Sequence, residues 1–371
     1  MDFDFSQDQD QLRDAVRKWV DKGYGLERRR AIAAAGGFSA EAYRELADLG
    51  LCGLNIPEQH GGLGMGPIEA MVVMEELGRG IVLEPLAQAL IAGAVLCRHA
   101  PAALAQRWAP LIAGGEKIVS LAWQERASRY RLEPCASTAI RQGDDWSLTG
   151  TKGVVVAGGK ADAWIVGAMA DGRLGAFLVE RGAAGATTRD YGTLAGGCAA
   201  ELQLQDTPAQ LISAGGQAVL EHAIDIGIAA SCAEAVGVME RTLELTAEYL
   251  NTRKQFGVLI GSFQALRHRV ADMKMQLELA RSMSYYASLK LDAPAPERRA
   301  AMARAKYQLG QSMRFVGQQA IQLHGGIGMT DEYSVGHYFK RLTELEVVFG
   351  DSLHQLGEVA SRMQESAGVY A

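Results

Sequence analysis

The 371-residue chain is long for one hydrophobic core, so two or three subdomains are expected. Hydrophobic residues make up 48% and charged residues 22%, an ordinary globular balance, and the net charge of −6 mixes both signs, which argues against a nucleic-acid groove. The acidic start, MDFDFSQDQDQ, lacks the apolar core of a signal peptide, and the run Pro85 to Leu96, broken by Gln88, is too short to span a membrane. Cys52, Cys97, Cys135, Cys198 and Cys232 are scattered without a CxxC pair, so neither a disulfide frame nor a metal site is indicated and a reduced cytoplasm is the expected compartment.

Residues 1–115 read as an N-terminal α-helical domain. Ser6 is placed to cap a helix carrying Leu12, Val16 and Trp19. Phe38-Ser39 reads as a staple and cap for a second, with Tyr43, Leu46 and Leu49 inward. Pro67 suits the first turn of a helix through Leu77. The preceding Gly62-x-Gly64-x-Gly66 is not a dinucleotide loop, since no strand leads into it. A further helix pair ends at Gly114-Gly115.

Over 116–215 the period changes. Short β-rich runs at 118–123, 146–148, 154–156, 163–166, 176–179 and 201–204, separated by turn residues, predict an antiparallel barrel or sandwich, with Gly143-Asp144-Asp145 as a hairpin tip. From 216 to 371 the helical period returns. Long segments at 217–250, 262–290 and 297–324, completed by 352–366, predict a four-helix bundle, with Pro294 and Pro296 between the second and third.

Within the bundle, an apolar helical run (Val316, Ala320, Leu323) stops at His324-Gly325-Gly326. A glycine pair there reads either as a helix C-cap or as open main chain whose N–H groups suit a phosphate. Arg253 could close a helix C-terminus and Phe256 could be a core anchor. Gln322-x-x-Gly325-Gly326-x-Gly328, Glu332-Tyr333, Arg341, Arg253-x-Gln255-Phe256-Gly257 and Phe263-Gln264 together resemble the C-terminal domain of acyl-CoA dehydrogenases. The order of helices, β module and bundle resembles that family along the whole chain.

That resemblance implies an α+β multidomain fold and FAD-dependent oxidation of an acyl-CoA thioester. It implies FAD held by Arg253, Phe256, Gln264, Gln322, Leu323, His324, Gly325 and Gly326, with Asp351 and Ser352 alongside. It further implies a dimer or tetramer in which each flavin is completed by a neighbouring subunit, with electron-transfer flavoprotein as acceptor. The chemistry needs a carboxylate base, a hydride-accepting flavin and donors for the enolate oxygen. Where most of the family carries the catalytic glutamate, this chain has Phe349. Where some relatives place it instead, the pair reads Ile224-Asp225. Asp225, Glu346 and Asp351 are the carboxylates that could serve as a displaced base.

The ring side of the flavin site also departs from the family. Its Thr-Glu-Pro-x-x-Gly-Ser segment is Gln124 to Tyr130 here, and its Trp-Ile-Thr is Val154-Val155-Val156, although Leu148-Thr149-Gly150-x-Lys152 matches. This pattern resembles the small, base-lacking subunit of pimeloyl-CoA dehydrogenase-type enzymes, which pairs with a glutamate-bearing large subunit. The alternatives are a self-sufficient homomeric enzyme with a displaced base and a flavin-free scaffold of the same fold.

Overall fold

The computed structural model describes residues 5–366 apart from 144, with side chains through 363. Two compact units divide it. One takes the chain through Arg29, Met71–Val82 and everything from Ile228 onward; the other takes Arg30–Ala70 and Leu83–Gly227.

The N-terminal helices are α1 (Gln7–Gly23), α2 (Leu26–Ala34), α3 (Ala40–Asp48), α4 (Pro67–Arg79), α5 (Leu86–His99) and α6 (Ala102–Ala113). Ser6 caps α1 in a capping box: its Oγ accepts from the Gln9 N–H at 3.2 Å, and Gln9 Oε1 accepts from the Ser6 N–H at 2.9 Å. Ser39 Oγ accepts from the Ala42 N–H to open α3, and the Phe38 and Tyr43 rings lie 5.9 Å apart beside it. Tyr43 and Leu46 are buried, but Leu49 is 38% exposed, against expectation, because α3 ends at Asp48 and Leu49 has turned off the apolar face. A Cβ on Gly62 would lie 2.0 Å from the Ile56 carbonyl oxygen, so this glycine is demanded by packing rather than by a ligand.

The strands are β1 (Val119–Ala122), β2 (Thr138–Gln142), β3 (Asp145–Val156), β4 (Ala163–Ala170), β5 (Arg173–Glu180), β6 (Ala186–Gly192) and β7 (Cys198–Ser213). Pairings run β4–β2–β3–β7–β5 and return from β5 to β4, closing a barrel from which β1 and β6 extend. It is not wholly antiparallel as expected: β1 and β2 both pair with β4 in parallel, long intervening segments giving the chain room to return in the same direction. Strands β2 and β6 carried no signal in the sequence because both are mostly exposed and lack an apolar alternation. Gln142 pairs with Asp145 across the expected hairpin, in which Gly143 has φ +66°; Asp144 lies outside the described residues.

The C-terminal elements are α7 (Gly216–Thr252), β8 (Lys254–Gln255), β9 (Val258–Leu259), α8 (Gln264–Lys290), α9 (Ala295–His324), α10 (Val335–Val347) and α11 (Ser352–Ser366). Helix α9 packs against α8, α10 and α11. The expected helices recur within a few residues, and α10 is an addition. Among the described residues the apolar segment of membrane-spanning length is α7, not the shorter 85–96 run. It is long and apolar enough to cross a membrane, yet its apolar window is entirely buried in the protein.

Two glycines set how closely α4 and α7 approach. A Cβ on Gly237 would stand 1.8 Å from the Glu75 carbonyl oxygen, and one on Gly78 would stand 2.1 Å from the Glu234 carbonyl oxygen. Backbone lies on both sides, so neither clash can be relieved by a rotamer change. Gly78→Ala and Gly237→Ala are each expected to cost at least about 1–3 kcal/mol in urea unfolding. Gly357→Ala on the exposed face of α11, where a Cβ meets nothing within 4 Å, is the contrasting control and should gain about 0.5–1 kcal/mol.

Candidate functional site

The family-like motifs gather at one end of the helical unit. Helix α7 ends at Thr252, and β8 and β9 form a hairpin whose tip, Phe256-Gly257, takes φ of +54° and +80°. Two successive positive φ values make a tight primed turn, which glycine eases. Phe256 projects from this tip at 91% exposure, its ring 6.2 Å from that of Phe263, so it is not a core anchor. Arg253, at the foot of the hairpin, and Gln264, at the start of α8, are exposed.

Two contacts bring the end of α9 to this place. The His324 ring stacks on Tyr249 at 4.6 Å, four residues before Arg253, and lies 5.1 Å from Tyr333. Arg269 Nη1 donates to Gln319 Oε1 at 2.9 Å, tying α8 to α9. Tyr249 is the residue that sequence reasoning missed, since a lone tyrosine within an apolar helix carries no motif. Burial pushes the His324 imidazole below its ordinary value, and its Nδ1 meets the Ala320 carbonyl at 2.8 Å.

Gly325 bears on both readings of the glycine pair. With φ +62° its N–H closes α9 onto the Ile321 and Gln322 carbonyls, a true C-cap. Beyond it, a Cβ on Gly325 or Gly326 would meet nothing within 4 Å, so the main chain there is open to approach. Gln322 is exposed, whereas the side chains of Leu323 and His324 are buried. An exposed guanidinium, two exposed carboxamides, an exposed aromatic ring and accessible glycine backbone fit the pyrophosphate and adenosine half of FAD. Those residues would hold the cofactor, which supplies the hydride-accepting ring.

The segment around Phe349 is tied down by its own hydrogen bonds. Phe349 is buried at φ +58°, followed by Gly350 at φ +108°. Gln355 Nε2 donates to the Phe349 carbonyl at 3.0 Å. Glu346 Oε1 accepts from Ser352 Oγ at 2.7 Å and from the Ser352 N–H at 3.0 Å. Asp351 Oδ1 accepts from the His354 N–H at 2.8 Å, opening α11. Lys306 reaches this segment from α9 and donates to the Leu345 and Glu346 carbonyls; burial pushes its ammonium down to about 8. Glu346, Asp351 and Ser352 therefore have structural work here. In the other unit, Asp225 and Ile224 are both buried.

The charged turn of the barrel has a structural cause that the sequence concealed. Glu125, 6% exposed, accepts from Lys152 Nζ at 2.6 Å, Ser137 Oγ at 2.6 Å, the Ser137 N–H at 3.0 Å and the Ala136 N–H at 2.7 Å. Burial raises this carboxyl, but the Lys152, Ser137 and Ala136 hydrogen bonds outweigh it and hold it down at about 2. An acid so well satisfied is a poor proton acceptor, so Glu125 is a clamp rather than a base. Beside it the Gly153 N–H donates to the Gln124 carbonyl. The register of β3 and β7 then shifts between Lys152 and Val155, leaving Val154 at φ +51° and 53% exposed.

The clamp predicts a pH signature. Because the folded carboxyl lies below its ordinary 4.5, its stabilisation is complete above that value and is lost as pH falls from there towards about 2. Lys152→Met should cost about 3–5 kcal/mol at neutral pH by stranding a buried carboxylate. As acid protonates that carboxylate, chemical denaturation should show the gap to the parent narrowing.

Comparison with known proteins accords with this geometry. The family described as acyl-CoA dehydrogenase, N-terminal domain, matches residues 6–116, and acyl-CoA dehydrogenase, C-terminal domain, matches 214–364. The chain is 28% identical over 339 residues to the acyl-CoA dehydrogenase FadE27 of Mycobacterium tuberculosis, covering 89% of each. It is 26% identical over 370 residues to an acryloyl-CoA reductase (NADH) of Anaerotignum propionicum, covering 95% of this chain and 93% of that protein. Among solved structures it superposes with TM-score 0.91 and 27% identity on a chain of the ChsE4-ChsE5 complex of Mycobacterium tuberculosis, covering 98% and 99% of the two. The Tcur3481-Tcur3483 steroid ACAD matches with TM-score 0.91 and 28% identity over the same shares. Members of the acyl-CoA dehydrogenase family bind FAD. With both terminal domains matched and the full-length fold shared, the chain belongs to the acyl-CoA dehydrogenase family of flavin oxidoreductases.

Proposed function

We propose that this chain is the base-lacking subunit of a heteromeric acyl-CoA dehydrogenase, of the small-subunit type found with pimeloyl-CoA dehydrogenase. The observation that carries the reading is Phe349, a side chain that cannot take a proton, at the place of the catalytic glutamate. Its segment is held by Lys306, Gln355 and the Glu346–Ser352 pair. In this reading the chain lends Arg253, Phe256, Gln264, Gln322 and the Gly325-Gly326 main chain to a flavin whose reactive end faces a partner. A glutamate-bearing large subunit then supplies the base that removes the α-proton of the acyl-CoA. Exposed apolar side chains on the helical unit, among them Phe256 (91%), Met275 (54%) and Leu353 (80%), support burial against another subunit.

The related structures bear on the same point. Two of them, ChsE4-ChsE5 and Tcur3481-Tcur3483, are named as pairs of different chains. Another, named for an electron transferring flavoprotein of Acidaminococcus fermentans, matches with TM-score 0.91 and 25% identity. We assign this chain an electron-transfer flavoprotein as acceptor, within the cytoplasm. The homomeric alternative needs a displaced base, and Glu346 and Asp351 are both occupied with local hydrogen bonds. The scaffold alternative leaves the exposed Arg253 set without a purpose.

Two measurements test this reading. Arg253→Ala should lower FAD occupancy by roughly 10-fold or more at equal dilution, the loss expected for a charge-assisted contact of about 1.5–3 kcal/mol. Unchanged flavin absorbance would reassign that residue. Turnover of the isolated, FAD-supplemented chain with short, long and dicarboxylic acyl-CoAs should lie about 10²–10⁴ below that of a base-bearing relative. Co-expression with a glutamate-bearing partner should restore it, and Phe349→Glu alone should not. Turnover of about 1 s⁻¹ or more by the chain alone would establish the homomeric reading instead.

A further inference from the structure

Two tyrosines beside the cofactor residues, Tyr249 and Tyr333, carry no part of the contact assigned to FAD, yet both gather around His324. The imidazole is the centre of the cluster. It is 3% exposed and stacks on Tyr249 with centroids 4.6 Å and planes 25° apart. Tyr333 closes the cluster at 5.1 Å from His324 and 6.1 Å from Tyr249, edge-on to the latter.

Each side of the stack is fixed to one of the two groups assigned to the pyrophosphate. On the α7 side, the Tyr249 carbonyl accepts from the Arg253 N–H at 2.9 Å, and the Arg253 carbonyl accepts from the Ile260 N–H at 2.9 Å. The chain beyond the hairpin lies against the last turn of α7, since a Cβ on Gly261 would stand 2.9 Å from the Leu250 carbonyl oxygen. Arg267 Nε holds it there by donating to the Gly261 carbonyl at 2.7 Å. The main chain of Arg253 is therefore fixed to Tyr249.

On the α9 side, His324 Nδ1 meets the Ala320 carbonyl at 2.8 Å, which seats the ring over the last turn of its own helix. Residues Gly325–Met329 then form a 3-10 turn that folds back on it, for a Cβ on Gly328 would stand 3.1 Å from the His324 Cβ. The Gly325-Gly326 main chain is therefore fixed to His324. The Arg269–Gln319 hydrogen bond also ties α8 to α9, but it is solvent-exposed and competes with water at both groups. The buried stack has no such competitor. An anion gripped from two sides binds best when both grips already stand at its own spacing, because no ordering is then left for binding to pay for.

We propose that Tyr249 and His324 are positioning residues for the cofactor, their stacked rings setting the spacing between Arg253 and the Gly325-Gly326 main chain, with Tyr333 backing the stack. The inference rests on the assignment of those two groups to the FAD pyrophosphate. It adds that they act as one unit, coupled through a buried imidazole.

The test is a double-mutant cycle on the FAD affinity of the full chain, read by the change in flavin fluorescence on binding. Arg253→Ala should weaken binding roughly 10-fold or more. Tyr249→Leu should weaken it roughly 3- to 10-fold, the range for a lost aromatic pair, while Tyr249→Phe, which keeps the ring, should restore the parent affinity. In the Arg253→Ala background, Tyr249→Leu should add less than about a 2-fold loss, because a single remaining grip has no second one to be aligned with. Additive losses in the double variant, or an unaltered affinity in Tyr249→Leu, would overturn the positioning role alone, provided that Arg253→Ala binds more weakly than the parent. No FAD binding by the parent, or equal binding by Arg253→Ala, would overturn the cofactor assignment and this inference together. A general loss of stability caused by Tyr249→Leu appears equally in both backgrounds and cancels in the cycle, so the coupling is not a loss of fold.

Discussion

One residue of α7, Glu234, fixes how three helices meet. Its two carboxylate oxygens accept from Arg341 Nε and Nη2 at 2.6 and 2.9 Å, while Arg341 Nη1 reaches Glu344 at 2.9 Å. Its main-chain carbonyl is the group that forbids a side chain at Gly78. Helix α10 is thus forked onto α7 by charge at the point where α4 presses against α7 backbone to backbone. Burial opposes the Arg341 charge, but the attraction of Glu234 and Glu344 outweighs it and raises its pKa. A buried ion pair of this kind contributes little net stability over an apolar pair of similar volume. What it does confer is register, because any sliding of α10 would strand two charges away from water.

That register matters for chemistry because α7 and α10 lead into separate parts of the candidate site. Four turns beyond Glu234, Tyr249 receives the His324 ring, and α7 then releases the Arg253 hairpin beside the end of α9. Helix α10 ends just before Phe349, where Lys306 from α9 meets its last carbonyls. A lysine at a helix C-terminus answers unsatisfied carbonyls and the negative end of the helix dipole together. The segment is well built, with Phe349 buried inside a frame of local hydrogen bonds.

Much of the fold was legible in the sequence because local signals were strong. Ser6 with Gln9, Ser39 with Phe38, Pro67 and the Pro294–Pro296 break all mark helix limits through backbone chemistry that acts within a few residues. The β module was legible as a change of period, but β2 and β6 were not, since solvent-facing strands leave no apolar alternation. The parallel pairings of β4 were hidden for a different reason. Pairing partners are chosen by the closure of the barrel, a long-range condition that no short window contains. Leu49 illustrates the reverse error, an apolar residue with the right spacing that falls one position past the helix end.

The candidate site divides along the same line. Residue identity alone establishes that Phe349 and Ile224 cannot act as bases, and that Arg253, Gln264, Gln322 and the glycine pair have the chemistry to hold a dinucleotide. Tertiary structure decided what those residues are free to do. It exposes Phe256, commits the Gly325 N–H to a helix cap and engages Glu346 and Asp351 in local hydrogen bonds. It also turns the charged segment at Glu125 into a buried clamp with Lys152, 27 positions away in the sequence. The physical reason is that composition sets which charges and donors exist, whereas burial and partnering, which depend on residues distant in the chain, set whether they remain available.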